Sequence, residues 1–412
     1  MYDPTIHVRS ISRQIRKSDF KRYPSALPGG DASGAVADAV ALASSGFGTP
    51  SITTSLLRGK SVHQHSALAE ALLMRHVTAN IGAVTRVRQS DRQTIIECIK
   101  NIVAEGLGFT VLKLDIKAFY ESVNVWPTID RLHADAGFSR QSVDSLKSFF
   151  VGLDAMGFSG LPRGLPISAT MAEYVLRGFD NDIVDHPSVK YYSRFVDDII
   201  IVTRSAEPTE LLWDFVESCL PKGLSFNLAK SRPLVFSPFS KTSPAGTEHL
   251  FSFLGYSFDV SFVKRRSDNR LERAVKLDIA PSKVARLKTR IAKSLCEFNK
   301  SSDFDLLRDR IRLLTSNFRY HDEKSDRERI SGLYFNYPIV DFSESTAFSD
   351  LDRFVRNILM SKSPKNRLRP HLTKDQSNEI LGLSFSDGFA EKRFFSFKPL
   401  RLAEITGCWK YA

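Results

Sequence analysis

The sequence predicts an α+β fold, and three patterns carry that prediction. Phe109 to Leu114 alternates apolar and polar residues up to Asp115 and reads as a strand. Tyr191 to Val202 is a largely apolar run that reads as a buried two-strand hairpin, with two adjacent carboxylates, Asp197 and Asp198, placed inside it. From Ser282 the spacing turns helical: Val284, Leu287, Ile291, Leu295 and Phe298 share one face. The pattern stays mostly helical from Phe304 onward, with Leu306, Ile311, Leu314, Phe354 and Ile358 as expected core.

At 412 residues the chain is long enough for two or three domains, and its 42% hydrophobic content suffices for a large core. A formal charge of +12, from 58 Lys and Arg against 46 Asp and Glu, favours attraction to phosphate backbones without establishing it. Cys98, Cys219, Cys296 and Cys408 lack paired metal-ligand spacing and read as reduced thiols of a cytoplasmic protein. The N-terminal residues show no apolar signal core, and no stretch reaches the roughly 20 apolar residues of a membrane span. Secretion and membrane insertion are not expected.

The adjacent Asp197 and Asp198 pose the sharpest physical question. An ionised carboxylate buried without a partner costs several kcal/mol, so a pair flanked by Phe195-Val196 and Ile199 to Val202 calls for a bound cation or a solvated tight turn. Asp115 adds a third acid at a strand end, where it serves equally as the N-cap of the helix that follows. A site holding two metal ions about 3.5–4 Å apart needs acids from separate strands, and this set supplies them. Between the acids, Gly160-Leu-Pro-Arg163-Gly164 is a Gly/Pro loop running into a helix that Ser168 or Thr170 is placed to cap. Downstream lie Asn227-Leu-Ala-Lys230 at a strand end and the turn Leu254-Gly255-Tyr256.

Taken in order, these five segments resemble motifs A to E of the reverse transcriptases, across residues 109–258. The resemblance implies a right-hand polymerase: an N-terminal extension and fingers over 1–108, a palm of antiparallel sheet and helices over 109–260, and a thumb with a helical C-terminal region over 261–412. It implies that Asp115, Asp197 and Asp198, with the carbonyl of Ile116, hold two Mg²⁺ ions, Mn²⁺ being a substitute. Lys230 matches the family's proposed general acid, and a solvated strand-end lysine is the plainer alternative. Arg86, Arg88 and Arg92 lie where the fingers hold incoming phosphates, although Arg92 is also placed to pair with Asp91 or Glu97 on a helix surface.

Tyr120 stands where such enzymes carry an aromatic that collides with a ribose 2′-hydroxyl, implying DNA as the product; core packing is its alternative, and Phe119 is the expected core member of the pair. Arg163, beside Gly164 in the expected nucleotide-binding loop, departs from the glutamine common there, and its fork is placed to contact template or nucleotide. Phe195 replaces the frequent tyrosine. The polar connector Lys264 to Arg270 leads to the thumb, where Lys283, Arg286, Lys288, Arg290 and Lys293 form a basic helix face suited to duplex phosphates. The aromatic runs Tyr334 to Tyr337 and Phe394 to Phe397 read as core fillers before RNA-stacking groups.

The stretches Arg163 to Glu173, Leu277 to Lys283 and Gly332 to Tyr337 look like bacterial antiphage reverse transcriptases, including subunits of the type 3 defence-associated systems. That resemblance implies dNTPs, a non-coding RNA, a DNA product, a second reverse transcriptase and self-assembly as partners. Untemplated or protein-primed DNA synthesis, and a non-catalytic RNA-binding scaffold, are the two alternatives.

Overall fold

The structure is a computed structural model that describes residues 3–57, 59–87, 89–135, 137–204, 209–238, 246–264, 271–322, 327–361 and 368–409. Arg88 and the connector residues 265–270 lie outside the described residues. The chain divides into two compact units, one formed by Met1–Ser90 with Gly108–Ser237 and the other by Asp91–Leu107 with Pro238–Ala412.

The first unit is built on a four-stranded antiparallel sheet in the order Val189–Phe195, Asp198–Arg204, Phe109–Asp115, Arg232–Phe236. Its two central strands are buried almost throughout, which is why Ile199, Ile200, Ile201 and Val202 run without a polar break. The helix Leu68–Thr85 is buried on most of its surface, including Leu72, Leu73, Met74 and Val77. It packs against Ser33–Ser45, Arg140–Ala155 and Pro166–Val175. Phe119, Phe149, Phe150, Ile167 and Phe179 join Leu112 and Ile201 in one core. A separate two-stranded hairpin, Ile52–Leu57 with Lys60–His65, completes the unit.

The second unit carries an antiparallel meander, Gly246–Phe253, Tyr256–Lys264 and Leu271–Ile279. Its first turn uses Leu254 at φ +47° and Gly255 at φ +82°, the backbone of a tight hairpin. The helix Arg92–Val103 packs on the strand Leu271–Ile279, and Arg273 fixes this segment by donating to the carbonyls of Glu105 and Leu107 while bonding Glu248 at 2.8 Å. The 21-residue helix Pro281–Ser301 starts with proline at its first position, where the missing N–H costs nothing, and buries Ile291, Leu295 and Phe298 as its spacing predicts. Val284 and Leu287 on the same face are only half-buried.

The C-terminal stretch differs from the expected helical run. A three-stranded sheet, Arg327–Gly332, Asn317–Asp322 and Phe394–Phe395, stands among its helices. Ile311, Leu314 and Ile358 are buried as expected, whereas Leu306 and Phe354 are half-buried beside the buried Leu307 and Val355. Tyr334, Phe335 and Phe394 are exposed at 47%, 59% and 42%, so these three are not core fillers. All four cysteines are free thiols, and no helix among the described residues is long and apolar enough to cross a membrane.

Candidate active site

The acids meet because of strand register. Asp115 ends one central strand, Asp198 opens its antiparallel neighbour, and the two are direct cross-strand partners. Phe195 pairs with Asp198 across the hairpin, leaving Val196 and Asp197 as the two turn residues. The Ile116 N–H donates to the Asp197 carbonyl at 3.2 Å, the Asn227 N–H to the Asp115 carbonyl at 2.7 Å, and Ser231 Oγ receives the Asp115 N–H at 3.0 Å. Three separate chain segments are thereby tied around one point. Ile116 itself is buried.

Burial and mutual repulsion set the charge of this cluster. Desolvation first, then the charges of Asp197 and Asp115, push the Asp198 carboxyl up to about 6, with Lys113 and Lys230 opposing. Asp197 is likewise raised by burial and by Asp115, with Arg163 and Lys60 pulling the other way. Lys230 Nζ sits 3.0 and 3.2 Å from the two Asp115 carboxylate oxygens, and that bond holds the ammonium above its usual range. Because 62% of the Lys230 side chain is exposed, solvent screens this ion pair and it adds little stability.

Among the described residues, no group of three or more His, Cys, Asp or Glu side chains is gathered into a ready metal-binding arrangement. The donor chemistry nonetheless fits a hard divalent cation. The backbone register sets Asp115 opposite Asp198 with Asp197 next to it in the turn, Asp197 and Asp198 bind protons more tightly than a solvated carboxylate does, and the Lys230 ammonium is bonded to Asp115.

A stability prediction follows from the raised Asp198 group. Its folded form holds the proton more tightly than the unfolded chain, so its contribution is full at low pH and is lost as pH rises from the ordinary 3.8 through about 6. In chelator at pH 8, Asp198→Asn is expected to stabilise the protein by about 1–3 kcal/mol relative to wild type, and at pH 4 the gap closes. Thermal melts at the two pH values check this.

The loop between the acids is locked to the segment after Asp115. Gly160 sits at φ +72°, where a Cβ would lie 2.3 Å from the Tyr120 carbonyl, and the Leu161 N–H donates to that same carbonyl at 2.6 Å. Gly164, at φ +98°, abuts the His63 backbone, and the His63 N–H bonds the Arg163 carbonyl at 2.7 Å. Neither Ser168 nor Thr170 caps the following helix. Leu165 is its N-cap with Pro166 next, and Ser168 Oγ donates instead to the Pro162 carbonyl at 2.6 Å.

Arg163 turns two nitrogens of its fork to Glu121, at 2.7 and 3.0 Å, and lays its guanidinium 4.7 Å from the Tyr120 ring centroid. Tyr120 is half-buried, while Phe119 beside it is fully buried and takes the core role.

The arginines ahead of the sheet separate. Arg86 ends the helix Leu68–Thr85 in left-handed backbone at φ +54°. Arg92 belongs to the second unit and opens the helix Arg92–Val103. Asp91 accepts from the Thr94 N–H and hydroxyl, and these bonds, with the Arg92 charge as a smaller contribution, hold its carboxyl below the usual range, while Glu97 accepts from Gln93 Nε2 at 2.9 Å.

On the basic helix of the second unit, the Lys283 side chain crosses Gly255 so closely that a Cβ there would lie 2.2 Å from Cε. Its Nζ stands 4.3 Å from the Tyr256 ring centroid. Burial, Arg92 and Arg286 lower the Lys283 ammonium to about 8. Arg286 is exposed, Lys293 is half-buried, and Arg290 stacks 5.5 Å from the Trp409 ring.

Sequence reasoning missed one group. Arg194, two residues before the turn, is buried and bonds Asp180 through Nε at 2.8 Å and Nη2 at 2.7 Å, Glu173 at 2.8 Å, and the Val196 carbonyl at 3.1 Å. Its signal was a cation one residue before Phe195, close to the acid turn of the hairpin. Val196 adopts φ +62°, a conformation that two-residue hairpins ordinarily give to glycine and that costs a β-branched residue about 1–3 kcal/mol.

Residues 70–258 match the family described as reverse transcriptase (RNA-dependent DNA polymerase). The matched stretch contains Asp115, Asp197 and Asp198. Among solved structures, the chain is similar to telomerase from Candida albicans in complex with a TWJ fragment of telomeric RNA, at 12% identity and a TM-score of 0.30. That alignment covers 82% of this chain and 54% of the other, so the chain spans about half the length of that relative. No curated protein matches the chain.

Proposed function

We propose that the chain copies RNA into DNA by adding dNTPs to a 3′-hydroxyl, with Asp115, Asp197 and Asp198 as the acids that hold two divalent cations. The observation that carries this reading is the register that sets Asp115 opposite Asp198 with Asp197 in the adjoining turn, inside the segment matching the reverse transcriptase family. Bound there, Mg²⁺ would lower the pKa of the attacking hydroxyl and neutralise charge on the triphosphate.

The chain's own side chains then have distinct tasks. Tyr120, braced by Arg163, stands to exclude a 2′-hydroxyl, and the Glu121 pair fixes where that guanidinium lies. Lys230, already bonded to an acid of the cluster, is the group placed to give a proton to the departing pyrophosphate. In the second unit, which would supply the thumb, Lys283, Arg286, Arg290 and Lys293 would bind duplex phosphates. Replacing Arg286 and Lys293 together by alanine is expected to lower the salt slope of template-primer binding by about 2, because each cation removed leaves one phosphate with its counterions. Fluorescence anisotropy across a salt series measures that slope.

The resemblance to antiphage enzymes supports a narrower role, copying an associated non-coding RNA in phage defence. Labelled-dNTP incorporation by the purified protein, before and after RNase treatment, tests the reading. Loss of synthesis on RNA removal is expected. Synthesis that survives it, with product attached to a Ser or Tyr, would instead establish protein priming.

A further inference from the structure

We infer that Arg194 is a positioning residue that holds the strained Val196–Asp197 turn in its working conformation, an inference that rests on the polymerase reading above. The turn lacks the residue its geometry calls for. With φ positive only at its first central residue, a two-residue hairpin loop asks for glycine there, yet the chain places valine, whose Cβ opposes that backbone. Something outside the turn must keep Val196 from relaxing to negative φ, a relaxation that would reorient the next peptide and carry Asp197 with it.

Arg194 is the group built to do so. Its Nη1 donates to the Val196 carbonyl at 3.1 Å, a bond made directly to the peptide that joins Val196 to Asp197. The rest of the fork is immobilised. Nε and Nη2 grip both oxygens of Asp180, from the helix Arg177–Asp185, and Nη2 also reaches Glu173, from the helix Pro166–Val175. Tyr192 Oη adds a 2.5 Å bond to Asp180 from the same strand as Arg194. Only 5% of the Arg194 side chain is exposed, so these bonds are little contested by water. Glu173 lies on the helix that follows the Gly160 to Gly164 loop, so the clamp also joins that loop's helix to the acid turn.

A purely structural role and a positioning role differ in how Arg194 and Val196 depend on each other. Arg194→Lys keeps a cation between Asp180 and Glu173 but lacks the fork needed to reach the Val196 carbonyl as well. Val196→Gly makes positive φ unstrained, so the turn no longer needs holding. Steady-state dNTP incorporation should be measured for wild type, each single variant and the double variant, with Asp197→Asn as the inactive control.

The inference predicts that Arg194→Lys lowers kcat about 30-fold with the dNTP KM within about threefold, and that the same change costs at most about threefold in the Val196→Gly background. Equal loss in both backgrounds, or full activity of Arg194→Lys, overturns the inference while leaving the polymerase reading intact. An inactive wild type overturns that reading and this inference together. Should Arg194→Lys fail to fold, Tyr192→Phe loosens the clamp by one hydrogen bond, and its smaller loss must be suppressed in the same background for the inference to stand.

Discussion

Asp197→Asn and Asp115→Asn should each abolish nucleotide incorporation, lowering the single-turnover rate by at least about 10³-fold, or roughly 4 kcal/mol of transition-state stabilisation. The amide keeps the size of the side chain and removes the negative charge that a divalent cation requires. Loss of fold is not the cause expected. Asp197 is raised by burial and by its neighbour Asp115, so neutralising it relieves repulsion, and the variant should melt no lower than wild type in chelator. Radiolabelled dNTP incorporation beside a thermal melt separates the two effects. An Asp197→Asn enzyme within tenfold of wild type would place the chemistry elsewhere.

Tyr120→Ala should change which sugar is accepted more than how fast DNA is made. Removing the ring opens space for a ribose 2′-hydroxyl, and a single steric discrimination of this kind is worth about 10–200-fold in kcat/KM. The ratio of rNTP to dNTP kcat/KM is therefore expected to rise by about 10–100-fold. Phe119 gives the matching control, because it is fully buried and its truncation should damage stability rather than selectivity. An unchanged ratio would return Tyr120 to a packing role beneath Arg163.

The parts of this fold legible in the sequence are those where burial leaves a dense apolar signature. Both central strands are buried almost throughout: the one opening at Asp198 is announced by its run of Ile and Val, and the one ending at Asp115 by the alternation around its Val and Leu residues. Helix spacing likewise places Ile291, Leu295 and Phe298 correctly. The small sheet containing Asn317–Asp322 and Arg327–Gly332 stays hidden because its residues are polar and largely exposed, and its third strand comes from residues 394–395. Assignment of Asp91–Leu107 to the second unit is invisible for a related reason: Arg273 bonds carbonyls more than 160 positions away. Local pattern carries no record of such pairings.

The acid set is legible through physical cost, since carboxylates in an apolar hairpin need a reason. The support around it is not. Arg163 reads as a free fork, yet its partner Glu121 lies 42 residues earlier. Arg194 reaches Glu173 and Asp180 on two helices that only the folded chain brings to the hairpin. The exposure of Phe335 and Phe394 is equally hidden, because aromatic runs look alike in a core and on a surface.

The most direct test of the central claim is a Mn²⁺ titration followed by melting temperature with dNTP present, comparing wild type with the Asp115→Asn/Asp197→Asn/Asp198→Asn protein. A cation that binds the native fold raises its stability with concentration. Wild type is expected to show a saturable rise that the triple variant lacks. The same rise in both proteins would contradict the assignment of these three aspartates to divalent cations.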